Sequence, residues 1–212
     1  MGETDDQRDA PPQGIALAIL ASHSGTTAQA VLDGIRDGRI AGRAVILICN
    51  NPGAEVLERA AAAGVPAHVL NGRTHPDPDE LDRAILAAIR DAGATHVLLA
   101  GYMKRLGPKT ITAFEGRAFN THPALLPAFG GQGMYGDRVH AAVLESGAAH
   151  SGATVHRVTN DYDAGEVVAQ VEVPVLEGDD VASLGERVRA AERELLVTVL
   201  ARLATEPRAH LT

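Results

Sequence analysis

Apolar residues along this chain fall in short unbroken runs, and stretches of helical spacing separate them. Residues 15–20, Ile-Ala-Leu-Ala-Ile-Leu, are apolar at every position, which is the pattern of a strand buried on both faces. The polar loop 22–27 follows, then helical spacing through Arg36. Residues 45–49 repeat the strand pattern, the turn 50–53 leads into an alanine-rich helix at 54–63, and residues 67–70 form a weaker third strand. Asp77 suits a helix cap, Pro78 the first helical position and Glu80 the far side of a capping box. Residues 96–100 are the next buried strand, and a short helix near 108–114 leads to a strand carrying Asn120 and His122. The loop 127–136 holds four glycines and no apolar period, so it is expected to be mobile. A helix at 138–144 follows, then an antiparallel strand pair at 153–159 and 166–176 with Asp163 in the turn between. From 180 to 203, Leu184, Val188, Leu195, Val199 and Leu203 make an apolar stripe on a long final helix.

Strands alternating with helices imply an α/β fold: one mostly parallel sheet with right-handed crossovers, closed by a C-terminal antiparallel hairpin and a long last helix. The 212 residues suffice for a single such domain, expected at 14–205, with a disordered tail at 1–13 and a short tail at 206–212. Ligands of such sheets bind outside the carboxyl ends of the strands. The loops at 22–27, 101–106 and 120–122 all lie at such ends.

Charge and composition narrow the function. A net charge of −8 argues against nucleic acid as partner, and so does the small number of aromatic residues. No apolar run is long enough to cross a membrane, the N-terminus lacks a signal-peptide pattern, and the single Cys49 fits a reducing cytoplasm. The histidines show no metal-ligand spacing, so no metal is expected.

Asn120 and His122, two apart on one strand, point to the same side. Pro123 and Pro127 fix φ along the exit. An amide and an imidazole on one wall offer a hydrogen-bond donor and a titratable group. Taken singly, these residues also fit a strand end that satisfies its own backbone, and Asp163 also fits a residue that holds its turn. His156 reads equally as a core histidine. Glu192 sits among buried positions of the last helix and needs a partner, with Arg189 or Arg193 as ion-pair alternatives.

The segment Asn120-Thr121-His122-Pro123-Ala124-Leu125-Leu126-Pro127 resembles the Asn-x-His-Pro-Ser-Leu-Leu-Pro signature of the folate-dependent formyltransferases. A second segment, from Ser151 to Gly165, is similar to that family's G-x-T-V-H-x-V-x-x-x-x-D-x-G. The resemblance extends from about Ile15 to about Leu203 and is nearest to the purine-biosynthesis branch. It implies a Rossmann-like formyltransferase fold and an enzyme that moves a formyl group from 10-formyltetrahydrofolate, a co-substrate, to the amino group of 5-phosphoribosylglycinamide.

The resemblance further implies that Asn120, His122 and Asp163 are catalytic, with His156 beside them. Gly25, Thr26 and Thr27 would bind phosphate, although Thr27 stands where the family has Asn. Glu192 would meet the acceptor amine. Met103, Lys104, Arg105, Leu106, Asn120, Thr159, Asn160, Asp161, Tyr162 and Asp163 would line the folate. Pro78 occupies the position of a folate-contacting Arg in some relatives, and Arg73 is a nearby substitute. The expected assembly is a monomer or homodimer. Methionyl-tRNA, water or an amino sugar as acceptor, or a folate-binding module without turnover, are the alternatives.

Overall fold

The computed structural model describes residues 14–206. The tail expected at 1–13, and all but the first residue of that at 206–212, lie outside the described residues. The elements are β1 (Ile15–Ala21), α1 (Thr26–Arg36), β2 (Gly42–Cys49), α2 (Val56–Ala62), β3 (Ala67–Val69), α3 (Pro78–Asp91), β4 (His96–Leu99), α4 (Pro108–Ala113), β5 (Ala118–His122), α5 (Asp137–Glu145), β6 (His150–Arg157), β7 (Val167–Pro174) and α6 (Val181–Thr205). They build one seven-stranded sheet in the order β3-β2-β1-β4-β5-β6-β7. Strands β1 to β5 pair in parallel, while β6 runs antiparallel to both β5 and β7.

The unbroken apolar run in β1 has a direct cause. Leu17, Ile19 and Ala21 enter the core under α1 and α6, while Ala18 and Leu20 enter the one on the side of α3 and α4. Both faces are buried, so no polar alternation survives. From β1 the chain moves outward to β2 and β3, then returns to the other side of β1 with β4 and β5. The gap between the carboxyl ends of β1 and β4 is therefore a topological switch point, where sheets of this type form their crevice.

A buried polar chain stitches that switch point together. Ser22, just past β1, donates its hydroxyl to Asn50 Oδ1 at 2.6 Å and accepts the Met103 N–H at 2.7 Å. Asn71 Nδ2 donates to the Asn50 carbonyl at 2.8 Å. Loops after β1, β2, β3 and β4 are thus held in one register. Nearby, the buried Asp82 of α3 accepts from Lys109 N, Thr110 N and Thr110 Oγ1 at 2.7, 3.1 and 2.6 Å, capping α4 from another helix. A Cβ at Gly107 would lie 2.1 Å from Asp82 Cγ, so this cap requires glycine there.

Some expectations shift. Asp77 does cap α3, but through Asp79 N at 2.8 Å, and no capping box with Glu80 forms. The capping box lies instead at α6, between Asp180 and Ser183. Strand β6 starts at His150 rather than at 153 and stops at Arg157, and β7 spans Val167–Pro174. On α6 the fully buried row is Leu184, Val188, Leu196 and Leu200, with Leu195 and Leu203 only half-buried. Glu192 completes that row at four-residue spacing, which is why a carboxylate comes to be buried.

Candidate active site

Asn120 and His122 project from the same face of β5, beside the switch point. The antiparallel register sets His156 opposite Asn120 and Thr154 opposite His122. His156 Nδ1 lies 3.0 Å from the Arg157 carbonyl, which can only accept, so the proton of the neutral ring sits on Nδ1. Its Nε2 is then an acceptor for the Asn120 amide nitrogen, 3.1 Å away. Burial pushes the His156 pKa down, against smaller opposing effects of the Arg157 carbonyl and Asp163, and so keeps this neutral form. His156 Nε2 is also 3.5 Å from Asp163 Oδ1. With the ring neutral, that is proximity rather than an ion pair. The outcome is an Asn120 amide turned to a fixed orientation, with a second N–H available on the wall it shares with a cavity.

The tautomer of His122 follows in the same way. Its Nε2 donates to the Phe129 carbonyl at 2.8 Å, leaving Nδ1 to face Asp163 Oδ2 at 3.5 Å. A proton taken up by the neutral ring therefore lands on Nδ1, against a carboxylate. Asp163 sits at the tip of the β6–β7 turn with φ of 53°, a left-handed conformation that Asp tolerates better than most residues. Oδ2 also accepts the Gly131 N–H at 2.9 Å. The glycine loop at 127–136 is thus bonded to both members of the pair, through Phe129 and Gly131, rather than standing free of the site.

These backbone contacts were not legible in the sequence, and neither was the clamp below them. Thr154 Oγ1 donates to the Ala124 carbonyl at 2.6 Å and accepts Leu126 N at 3.1 Å. Gln170 Nε2 bonds both Thr154 Oγ1 and the Leu126 carbonyl at 2.9 Å. The strand pairing of the two motif segments was the available signal, since it sets Thr154 across from His122.

On the other face of β5, Thr121 donates to Glu192 Oε1 at 2.7 Å, and Thr27 also hydrogen bonds this carboxylate. Burial raises the Glu192 pKa, while the threonine hydroxyls and the more distant Arg193 and Arg189 work against that rise. Hydroxyl bonds satisfy the group, and the alternative ion pair with Arg189 or Arg193 does not form. Glu192 is thereby joined to the loop holding Gly25, Thr26 and Thr27, away from His122. Gly25 takes the left-handed conformation, φ 71°, and a Cβ there would meet Val56 Cγ2 at 2.2 Å. Thr27 spends its hydroxyl on Glu192, so Thr26 and the unpaired N–H groups of the first turn of α1 are what remain for an anion.

Two adjoining cavities complete the site. An inner one of about 100 Å³ is walled by Lys104, Arg105, Leu106, Asn120, His156 and residues 159–163, with Leu99, Ile111 and Val158 beneath. An outer one of about 610 Å³ opens along α3, by Pro78 and Leu81. Every anticipated folate residue except Met103 lines the inner cavity; Met103 contributes its backbone N–H to Ser22 instead. Arg73 lines neither, so its suggested role as a substitute for a cation at Pro78 is not supported. Tyr102 was missed: it lines both cavities, and burial pushes its phenol up to about 12. Asparagine, imidazole and carboxylate beside an apolar-floored cleft fit a folate co-substrate, whose ring system needs apolar walls and whose tail is anionic.

A half-buried amide, a buried imidazole and a half-buried carboxylate beside the switch point of this sheet are the groups that an acyl transfer would need. The sequence profile of the formyl transferase family matches residues 15–200, and the chain belongs to that family. It is 41% identical over 199 residues to the phosphoribosylglycinamide formyltransferase of Mycobacterium tuberculosis, covering 92% of this chain and 88% of that one. It is 39% identical over 196 residues to the chloroplastic phosphoribosylglycinamide formyltransferase of Arabidopsis thaliana, covering 92% of this chain and 67% of the plant protein. The crystal structure of glycinamide ribonucleotide transformylase 1 from Symbiobacterium toebii superposes with a TM-score of 0.85 at 39% identity, over 92% of this chain and 89% of that one.

Proposed function

We propose that this protein transfers the formyl group of 10-formyltetrahydrofolate to the amino group of 5-phosphoribosylglycinamide, releasing tetrahydrofolate, as a step of de novo purine biosynthesis. Kinship with formyltransferases named for that acceptor supports the reading. The observation that carries it is the placement of Asn120 and Asp163 on the wall of the inner cavity, with His122 behind Asp163 at 3.5 Å and the α1 N-terminus tied to β5 through Thr27, Glu192 and Thr121.

The chemistry follows from these groups. The acceptor nitrogen attacks the formyl carbon, and charge grows on the formyl oxygen. Asn120, held by His156, donates its second N–H to that oxygen. Such donors are worth roughly 3–4 kcal/mol of barrier. His122 carries a proton at Nδ1, because Nε2 is committed to Phe129, and Asp163 stabilises the resulting imidazolium. That proton position serves both the growing oxyanion and the passage of a proton from the attacking nitrogen to the departing folate nitrogen. The acceptor phosphate sits on Thr26 and the first turn of α1, whose dipole favours an anion. Glu192 holds a polar group of the acceptor near that phosphate rather than acting on the reacting amine.

No helix among the described residues is long and apolar enough to cross a membrane. We assign the protein to the cytoplasm, with residues 14–205 as one catalytic domain, working as a monomer or homodimer. The test is a tetrahydrofolate-release assay with 5-phosphoribosylglycinamide, its dephosphorylated form, methionyl-tRNA and no acceptor. Fast release with the first alone is expected. Release at equal rates with and without acceptor would identify a hydrolase instead.

A further inference from the structure

His122, Thr154 and Gln170 stand in one row across three strands. The register of β5, β6 and β7 sets Thr154 opposite His122 and Gln170 opposite Thr154. Opposed residues of antiparallel strands share a face, so the row runs from the site to the edge of the sheet. Gln170 is exposed on that edge, about 10 Å from His122 by two strand spacings.

Segment 123–130 leaves β5 and is tied to the neighbouring strands by side chains of this row. Thr154, buried on β6, spends its hydroxyl completely: it donates to the Ala124 carbonyl and accepts from Leu126 N and Gln170 Nε2. Gln170 spends both amide protons, one on Thr154 Oγ1 and one on the Leu126 carbonyl, each at 2.9 Å. Three residues further on, the Phe129 carbonyl accepts from His122 Nε2.

That last bond has a competitor. Asp163 Oδ2 lies 3.5 Å from His122 Nδ1. Which nitrogen of a neutral imidazole holds the proton is set by the partners of the two, and a carboxylate is a stronger acceptor than a carbonyl. Distance reverses that order here, 2.8 Å to the carbonyl against 3.5 Å to the carboxylate. Were the Phe129 carbonyl to drift away, Asp163 would draw the proton to Nδ1. That nitrogen could then not take up the proton leaving the attacking amine. The resting tautomer therefore depends on where segment 123–130 is held.

We propose that Gln170 is a positioning residue for the formyl transfer: through Thr154 and Leu126 it holds segment 123–130 so that the Phe129 carbonyl, rather than Asp163, keeps the proton of the neutral His122. The role rests on the formyl-transfer reading above. Gln170 itself lines neither cavity and takes no part in a chemical step.

The experiment compares the wild type with Gln170→Glu and Gln170→Leu. Both lose the two N–H donors; the first keeps the shape and the second adds no charge. Gln170 is exposed on an edge strand, so both should fold, melting curves check this, and one folded variant is enough to decide. Nitrogen NMR of isotope-labelled imidazoles reads the tautomer in the ligand-free proteins at mildly alkaline pH, where imidazoles are neutral, with His122→Asn identifying the signals. The wild type should show His122 protonated at Nε2. The variants should show the proton moved at least partly to Nδ1. Their kcat should fall about three- to tenfold, the range that one neutral hydrogen bond sets, with both KM values nearly constant. A ring still protonated at Nε2 in a folded variant would overturn the proposal, and is what a merely structural role predicts. So would a wild-type ring protonated at Nδ1, or a variant kcat within about twofold of wild type. Absence of formyl transfer by the wild type would remove the functional reading instead, and the nitrogen shifts of the free protein would still decide what Gln170 holds.

Discussion

Replacing Asp163 by Asn separates charge from shape at the centre of the site. The carboxylate has two distinct ends. Oδ2 accepts from Gly131 N at 2.9 Å and faces His122 Nδ1 at 3.5 Å, while Oδ1 faces His156 Nε2 at 3.5 Å. The new amide has one orientation that fits. Its oxygen takes the Oδ2 place and keeps the Gly131 bond, and its nitrogen takes the Oδ1 place near His156 Nε2, whose lone pair already accepts from Asn120. Packing and the Gly131 bond survive, so stability should change by no more than the roughly 0.5–1.5 kcal/mol of one neutral hydrogen bond. Folate and acceptor affinities should stay within about tenfold, since charge rather than shape is removed. What is lost is the counter-charge for a proton on His122 Nδ1. The single-turnover rate should fall by roughly 10²–10⁴, the range of general acid–base contributions, with KM nearly constant. Rapid-quench single turnover, folate calorimetry and a melting curve on the same variant decide the matter. A single-turnover rate within about threefold of wild type, against that expected loss, would falsify the assignment of Asp163.

Three other outcomes follow. Thr26→Ala should weaken acceptor binding by about 0.5–1.5 kcal/mol or somewhat more for a charged partner, and leave folate binding unchanged; titration with each ligand checks this. Glu192→Gln should raise the melting temperature at neutral pH and raise the acceptor KM. Burial lifts this carboxyl above its ordinary value of 4.5, so its contribution to stability is full below that value and is lost as pH rises through the higher folded one. His156 and His140 have the opposite sign. Burial depresses both below 6.5, so the unfolded chain binds more protons and stability should fall as pH drops from 6.5 through the folded values. Melting curves between neutral and mildly acidic pH should show that fall, and His156→Gln should flatten it.

Much of this was legible in the chain because the periodicities are strong. The run at 15–20 named a doubly buried strand, and β1 is one because cores lie on both of its faces. Alternation along β5 put Asn120 and His122 on one side, and the turn between the last two strands delivered Asp163 to them. What stayed hidden depends on backbone groups and long-range pairing, which have no residue signature. The Phe129 carbonyl fixes the His122 tautomer, yet any residue at 129 supplies a carbonyl. The four glycines at 127–136 suggested mobility, whereas at least Gly131 serves to bring its N–H to Asp163. Glu192 was legible as a carboxylate in need of a partner, but its threonine partners lie 71 and 165 positions away in sequence, beyond any local pattern.

The most direct test of the central claim follows the formyl carbon itself. With isotope-labelled formyl on 10-formyltetrahydrofolate and 5-phosphoribosylglycinamide present, the label should appear on the acceptor nitrogen as the N-formyl product, in one-to-one ratio with tetrahydrofolate. Label recovered as free formate, with the acceptor unchanged, would contradict the account.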